Sequence, residues 1–262
     1  MSKMHKYISL FKISFLYTLK NTKGLISLSV FFIACLIIFS RIWEALSSEN
    51  TINMLSSSQL LWYIAFNEWV IVSLPEVHEE MKMDLKSGHL AYLLPRPISY
   101  LGATFSKAFG SLMANLLVLG IIAFAFTIFQ TRCLPFSFFT LLTAFIFGIF
   151  AGIIATLFQM LIGLSAFWIE EVDPLYWIWQ KLLFMLGGLM LPLAAYPNWI
   201  QKLANLTPFP AILGERSALA ISISSTHILS LILSYLGWSS LVIGLLLLTY
   251  KKGLKILNLG GG

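Results

Sequence analysis

The chain has 262 residues, 58% of them hydrophobic and 11% charged, whereas a soluble domain carries roughly a quarter charged residues. That excludes a water-facing globule, and long continuous apolar runs favour lipid-facing helices over a barrel, whose strands alternate. The formal charge of +6 does not indicate nucleic acid, because Lys and Arg flank the apolar runs instead of clustering in a domain.

Residues 1–23 carry Lys3, Lys6, Lys12, Lys20 and Lys23 together with Ile8, Phe11, Phe15 and Leu19. Those apolar positions recur at steps of three and four, so the spacing predicts a basic amphipathic helix in the cytoplasmic interface. A cleavable signal is the rival reading, since Ala45-Leu46-Ser47 loosely resembles a cleavage site. The polar leader runs to Lys23, however, and the apolar stretch behind it is long enough to span.

The first span is predicted at 24–42, and the polar stretch SSENTINMLSSS separates it from a second at 59–74. A third at 100–129 and a fourth at 136–168 meet at the short turn QTRCLP. Glu170, Glu171, Asp173 and Pro174 then interrupt the apolar run before a fifth span at 176–193, and a sixth follows at 228–250. About 20 residues suffice to cross a core of roughly 30 Å, so the third and fourth spans must tilt or project. Gly148 and Gly152 form a GxxxG pattern suited to close helix packing, as do Gly187-Gly188. Trp168, Trp177 and Trp179 read as an interfacial belt.

With the N-terminus inside, thirteen of the 17 basic residues fall on the inner side and only Arg41, Arg132, Lys202 and Arg216 on the outer. This asymmetry predicts two cytoplasmic termini. Residues 194–227 are apolar but too broken by proline to span, and they carry Trp199. They read as short helices that dip into the outer leaflet and return, a geometry tolerated only where protein shelters the backbone.

Between the second and third spans, residues 76–99 turn polar. Val77, Met81 and Leu85 stand four apart on one helical face, with Glu76, Glu79, Glu80, Lys82, Asp84 and Lys86 elsewhere and Gly88 as a stop. The spacing predicts a cytoplasmic amphipathic helix whose apolar face docks into a partner and whose charges fix the register.

No Walker A, HExxH or CxxC pattern occurs, so phosphates are not cradled by a Walker loop in this chain. His5, His78, His89 and His227 are scattered and form no ligand set, and Cys35 and Cys133 have no metal spacing. Ser165 and His227 fall near opposite membrane faces, which excludes a serine nucleophile activated by that imidazole. Asn67 and Glu68 lie midway along the second span as a possible intramembrane polar site. A proton-coupled secondary carrier hinging on Glu68 is therefore the alternative to the reading that follows.

Gly88, Leu90, Leu94, Arg96 and Pro97, followed by Ile98-Ser99, give a Gly-x-Leu-x-x-x-Leu-x-Arg-Pro pattern after the amphipathic helix. Phe167-Trp168 closes the fourth span; Gly187-Gly188, Pro192, Pro197 and Pro208-Phe209 follow in order, and the chain ends YKKGLKILNLGGG. In order and spacing these pieces resemble a bacterial six-span branch of the ABC-2-type transporter permeases, over nearly the whole chain. The resemblance implies an all-α membrane protein with a single permease domain, 1–262, comprising an elbow helix (1–23), a cytoplasmic coupling loop (76–99) and outer re-entrant helices (194–227). It implies a separate ABC ATPase subunit that binds the coupling helix and holds ATP and Mg, with no cofactor in this chain. It further implies a second permease chain, identical or different, a bacterial cytoplasmic membrane, and export of amphipathic or lipid-like cargo. The aromatic-rich, charge-poor interior also favours such cargo over ions.

Overall fold

The computed structural model describes residues 3–48, 56–132, 138–221 and 225–260. Cys133, the C-terminal Gly261-Gly262, most of the polar link after the first span and most of the turn between the third and fourth lie outside the described residues. The described residues form helices and no strand.

Helices α1 (Lys3–Lys20) and α2 (Thr22–Ser48) are separated only by Asn21. Hydrogen bonds of helical register cross that point, from Asn21 N–H to Tyr17 O (3.0 Å) and from Leu25 N–H to Asn21 O (3.0 Å). The leader packs along the first turns of α6 (Tyr100–Thr131) and runs in the same direction. Tyr7 Oη accepts from Ser99 N–H at 3.0 Å, Phe11 meets Phe109 at 5.4 Å, and Ser14 and Thr18 reach Ser111 at 2.9 and 3.0 Å. Gly110 permits this approach, because a side chain there would collide with the Phe11 carbonyl. The predicted apolar face of the leader is thus divided: Phe11 and Phe15 pack on protein, while Ile8 is exposed with Met4, Ile13, Leu16 and Tyr17.

At the centre stands α3 (Ser57–Ser73), opened by a capping box between Ser56 and Gln59. Asn67 and Glu68 apart, the middle of α3 is apolar on all sides, which suits a helix enclosed by others. Leu60, Ile64, Trp69 and Val70 join Leu112 and Leu116 of α6, Ala151 of α7 (Phe138–Leu164) and Phe32 and Leu36 of α2 in the main core. Between lipid-facing helices the gain comes from close packing more than from water release. Accordingly, a Cβ on Gly148 would stand 2.8 Å from the Trp69 ring and one on Gly152 2.9 Å from Leu112.

Pro75 ends α3, and α4 (Val77–Lys86) and α5 (His89–Leu93) follow. Gly88 joins them at φ +71°, a conformation that favours glycine. The last third of the chain holds α8 (Asp173–Leu186), α9 (Asn198–Asn205), α10 (Phe209–Ile212), α11 (Gly214–Ile221) and the long α12 (Ser225–Gly260).

Among the described residues, five stretches are long and apolar enough to cross a membrane: Thr22–Ile42, Ser57–Lys86, Tyr100–Thr131, Phe139–Phe167 and His227–Ile256. The chain is a multi-pass all-α membrane protein. Two spans differ from expectation in extent. The stretch predicted at 176–193 is helical only to Leu186; the 14 residues of α8 reach about 21 Å and fall short of a 30 Å core. The physical reason is Gly187-Gly188: Gly188 turns at φ +70°, and a Cβ on Gly187 would meet Phe209 O at 3.1 Å. The last helix, in contrast, continues ten residues beyond Tyr250 to Gly260.

Candidate functional site

The polar segment after α3 is built into the body of the protein. Val77 and Met81 are 2% and 0% exposed and face α7, where Gly163 lets the two backbones close up. A Cβ on Gly163 would stand 2.8 Å from Met81 Cβ and 3.2 Å from His78 Cα. Val77 N–H donates to Gln159 Oε1 at 3.1 Å, and the His78 ring stacks on Tyr176 of α8 at 3.7 Å.

The charges of α4 pair with neighbouring elements of the chain, and Lys82 alone among them is buried. Lys82, 8% exposed in its side chain, places Nζ 2.6 Å from Glu79 and 2.9 Å from both oxygens of Asp173. Lys86 reaches Glu171 at 2.6 Å. On the other flank Glu80 pairs with Lys107 of α6 at 2.8 Å, and Tyr100 Oη donates to Asp84 at 3.1 Å. Val77, Met81, Glu79, Glu80 and Asp84, expected to meet a partner, also make contacts within this chain. Periodicity identified an amphipathic helix but not what covers it; α7 covers it because Gly163 leaves room.

Among the exposed residues of α4, α5 and their ends are Glu76 and the apolar Met83 (56% exposed), Tyr92 (76%) and Leu94 (40%), while Leu85 is half-buried. Of the Gly-x-Leu-x-x-x-Leu-x-Arg-Pro positions, Gly88 makes the turn and Leu90 anchors α5 in a second core cluster with Met81 and Leu164. Leu94, Arg96 and Pro97 face outward.

His78, Glu79 and Asp173 bring ligand atoms within 4.8 Å of one another, a spacing suited to a metal ion. The Lys82 ammonium already supplies the positive charge there. Its hydrogen bonds hold the Asp173 carboxyl below the usual carboxylate range.

A second polar cluster lies midway along α3. Asn67 donates to Leu189 O at 3.1 Å and accepts from Ser217 Oγ at 2.6 Å. Tyr63 donates its hydroxyl to Gly188 O, and Gly214 N–H donates to Gly187 O at 2.9 Å. Arg216, 1% exposed, donates from Nη2 to Phe66 O at 2.6 Å, while its Nη1 has no partner among the described residues. Thus α10 and α11 return to the middle of α3, and the glycines at both ends of the loop make that approach possible. Pro208 and Phe209 are buried in this return; Pro192 and Pro197 mark the turns on either side of Leu193–Ala195.

The structure separates Asn67 from Glu68. Glu68 is 7% exposed, lies near Cys35 on the α2 side, and has no hydrogen bond or ion pair among the described residues. Phe167 packs on Gly253 of α12, while Trp168 is half exposed. Sequence reasoning missed Tyr63, Arg216, Ser217 and Gln159, whose partners are 82 to 150 positions away. The one signal was the charged Arg216, beside Glu215, in a mostly apolar stretch.

Two open apolar cavities flank this frame. One, of about 510 Å³, lies between α6, α7 and α12 and includes Phe105, Phe147, Ile154, Tyr235 and Leu246; the other, of about 390 Å³, is walled by Trp62, Trp69, Phe124 and Phe145. Their linings suit hydrocarbon rather than ions.

A family model described as ABC-2 family transporter protein matches residues 25–261. A search of curated proteins found no match.

Proposed function

The chain belongs to the ABC-2 transporter family, and we propose that it is the permease subunit of an ATP-driven exporter of amphipathic, lipid-like cargo. In this reading a separate ABC ATPase subunit binds ATP and Mg and carries out hydrolysis, and a second permease chain, identical or different, completes the pathway. The protein sits in a bacterial cytoplasmic membrane with both termini inside, as its basic residues argue.

The observation that carries the reading is the cytoplasmic segment. A segment whose α4 is fastened to α6, α7 and α8, and which exposes Met83 of α4 with Tyr92 and Leu94 of the following turn, is suited to receive a force from outside and pass it to several spans at once. The ATPase subunit docks on that edge, with Glu76 at its rim. Closure of the ATPase on ATP shifts α4 and α5 as a unit, which favours one of two arrangements of the spans. The apolar cavities support a cargo with acyl or aromatic parts.

Met83→Glu combined with Tyr92→Glu tests the docking edge. The double variant should lose the ATPase subunit on affinity purification while its melting temperature stays near that of the parent. Full retention of that subunit would overturn the assignment.

Glu68 sustains the alternative of a proton-coupled carrier, since it is a deeply placed carboxyl without a partner among the described residues. Glu68→Gln separates the two: it abolishes a carrier and leaves an ATP-driven pump largely working.

A further inference from the structure

Helix α8 differs from its neighbours in how it is held. Along its length only Trp179 and Leu183 are buried, while Leu175, Trp177, Ile178, Leu182 and Met185 are exposed. Its firm attachments are at its two ends.

At the inner end Lys82 grips both oxygens of Asp173 at 2.9 Å, Lys86 pairs with Glu171 two residues earlier at 2.6 Å, and His78 stacks on Tyr176. At the outer end Gly187 O accepts from Gly214 N–H at 2.9 Å, and Gly188 O and Leu189 O accept from Tyr63 and Asn67 of α3. Fourteen helical residues joined in this way form a stiff rod of about 21 Å between α4 and the returning pair α10–α11. The glycines at its outer end allow the rod to turn relative to that pair.

We propose that Lys82 and Asp173 are positioning residues for coupling: their ion pair is the joint through which displacement of α4 drives α8 and, through it, the α10–α11 return. This rests on the proposal that an ATPase subunit acts on α4. Three features favour the Lys82 pair over the other α4 contacts as this joint. It is two-pronged and its Lys82 side chain is only 8% exposed, with Asp173 at 42%, whereas the Glu80–Lys107 pair is exposed by 43% at both partners. It joins α4 to the one helix that ends at the glycine turn. Glu79 shares the same ammonium at 2.6 Å, so a carboxylate of α4 itself holds the Lys82 side chain in place for Asp173. Energetic coupling through such a chain requires an element with two arrangements that both ends bias, and α8 with its glycine turn is that element.

The test uses the complex purified with its ATPase subunit, with Cys35→Ser and Cys133→Ser as background and spin labels at Met185→Cys and Ile121→Cys. Both labelled positions are exposed, by 67% and 71%, the first near the outer end of α8 and the second on α6. ATP with vanadate should shift the interspin distance distribution in the parent. Lys82→Ala and Asp173→Asn should each lose that shift while the ATPase subunit still co-purifies and hydrolyses ATP. The exchange Lys82→Asp with Asp173→Lys, which keeps one ammonium facing two carboxylates, should restore it, an outcome that a general loss of stability does not produce. A shift that persists in the single variants overturns the joint, and so does an exchange that stays silent. A parent without any shift also overturns it; presence or absence of the ATPase subunit in that preparation then says whether the transporter reading falls too.

Discussion

Gly163 shows how a single missing side chain sets the seating of α4 on α7. The atoms that a Cβ would meet are Met81 Cβ at 2.8 Å and the His78 backbone at 3.2 Å, neither of which can swing aside. Gly163→Ala should therefore push α4 off α7 and cost about 1–3 kcal/mol, read as a lowered melting temperature in detergent. Asn67→Ala strands a buried serine hydroxyl and a carbonyl, and should cost about 1–3 kcal/mol by the same measurement. Asp173 gives a pH prediction: its lowered carboxyl pKa means that the Lys82 pair contributes above the ordinary value near 3.8 and is lost only as pH falls through the depressed one. The α8 response to ATP should consequently show no loss from this group between pH 8 and pH 5. Asn67 and Glu68 are adjacent in sequence and were legible as polar residues within a span. That they serve different neighbours was not, because a helix turns about 100° per residue and the sequence does not say which helix lies on each side.

Helices as elements were largely legible where length and apolar continuity decide the matter, as for α2, α6, α7 and α12. Their limits were not, because hydropathy continues through Gly187–Leu193 while the positive φ at Gly188 stops α8. For α4 the sequence yields an amphipathic helix, but covering its apolar face from within depends on Gly163, 82 residues after Met81. The short α9 and its capping residue Leu206 present Trp199, Leu203 and Leu206 at helical spacing, at 68%, 49% and 77% exposure, with Lys202 also exposed. Those residues should lie among lipid headgroups and acyl chains. Brominated lipids should quench the protein's tryptophan emission, and Trp199→Phe should remove a measurable part of the quenched component; an unchanged quenching ratio would contradict this placement.

As a whole molecule, the protein is a central buried helix enclosed by long spans, with a charged segment clamped at one end and a loop that folds back at the other. Composition and basic-residue asymmetry make the membrane character legible, and the order of short motifs indicates the family to which residues 25–261 belong. Contacts such as Arg216–Phe66, 150 positions apart, emerge only from the packed chain. The most direct test of the central claim is affinity purification of the intact chain from native membranes, with identification of its companions and an ATPase assay. The account predicts a stoichiometric ATP-binding subunit whose turnover vanadate inhibits. A chain that emerges alone in mild detergent, without ATP-dependent activity in its own membranes, would contradict it and turn attention to Glu68.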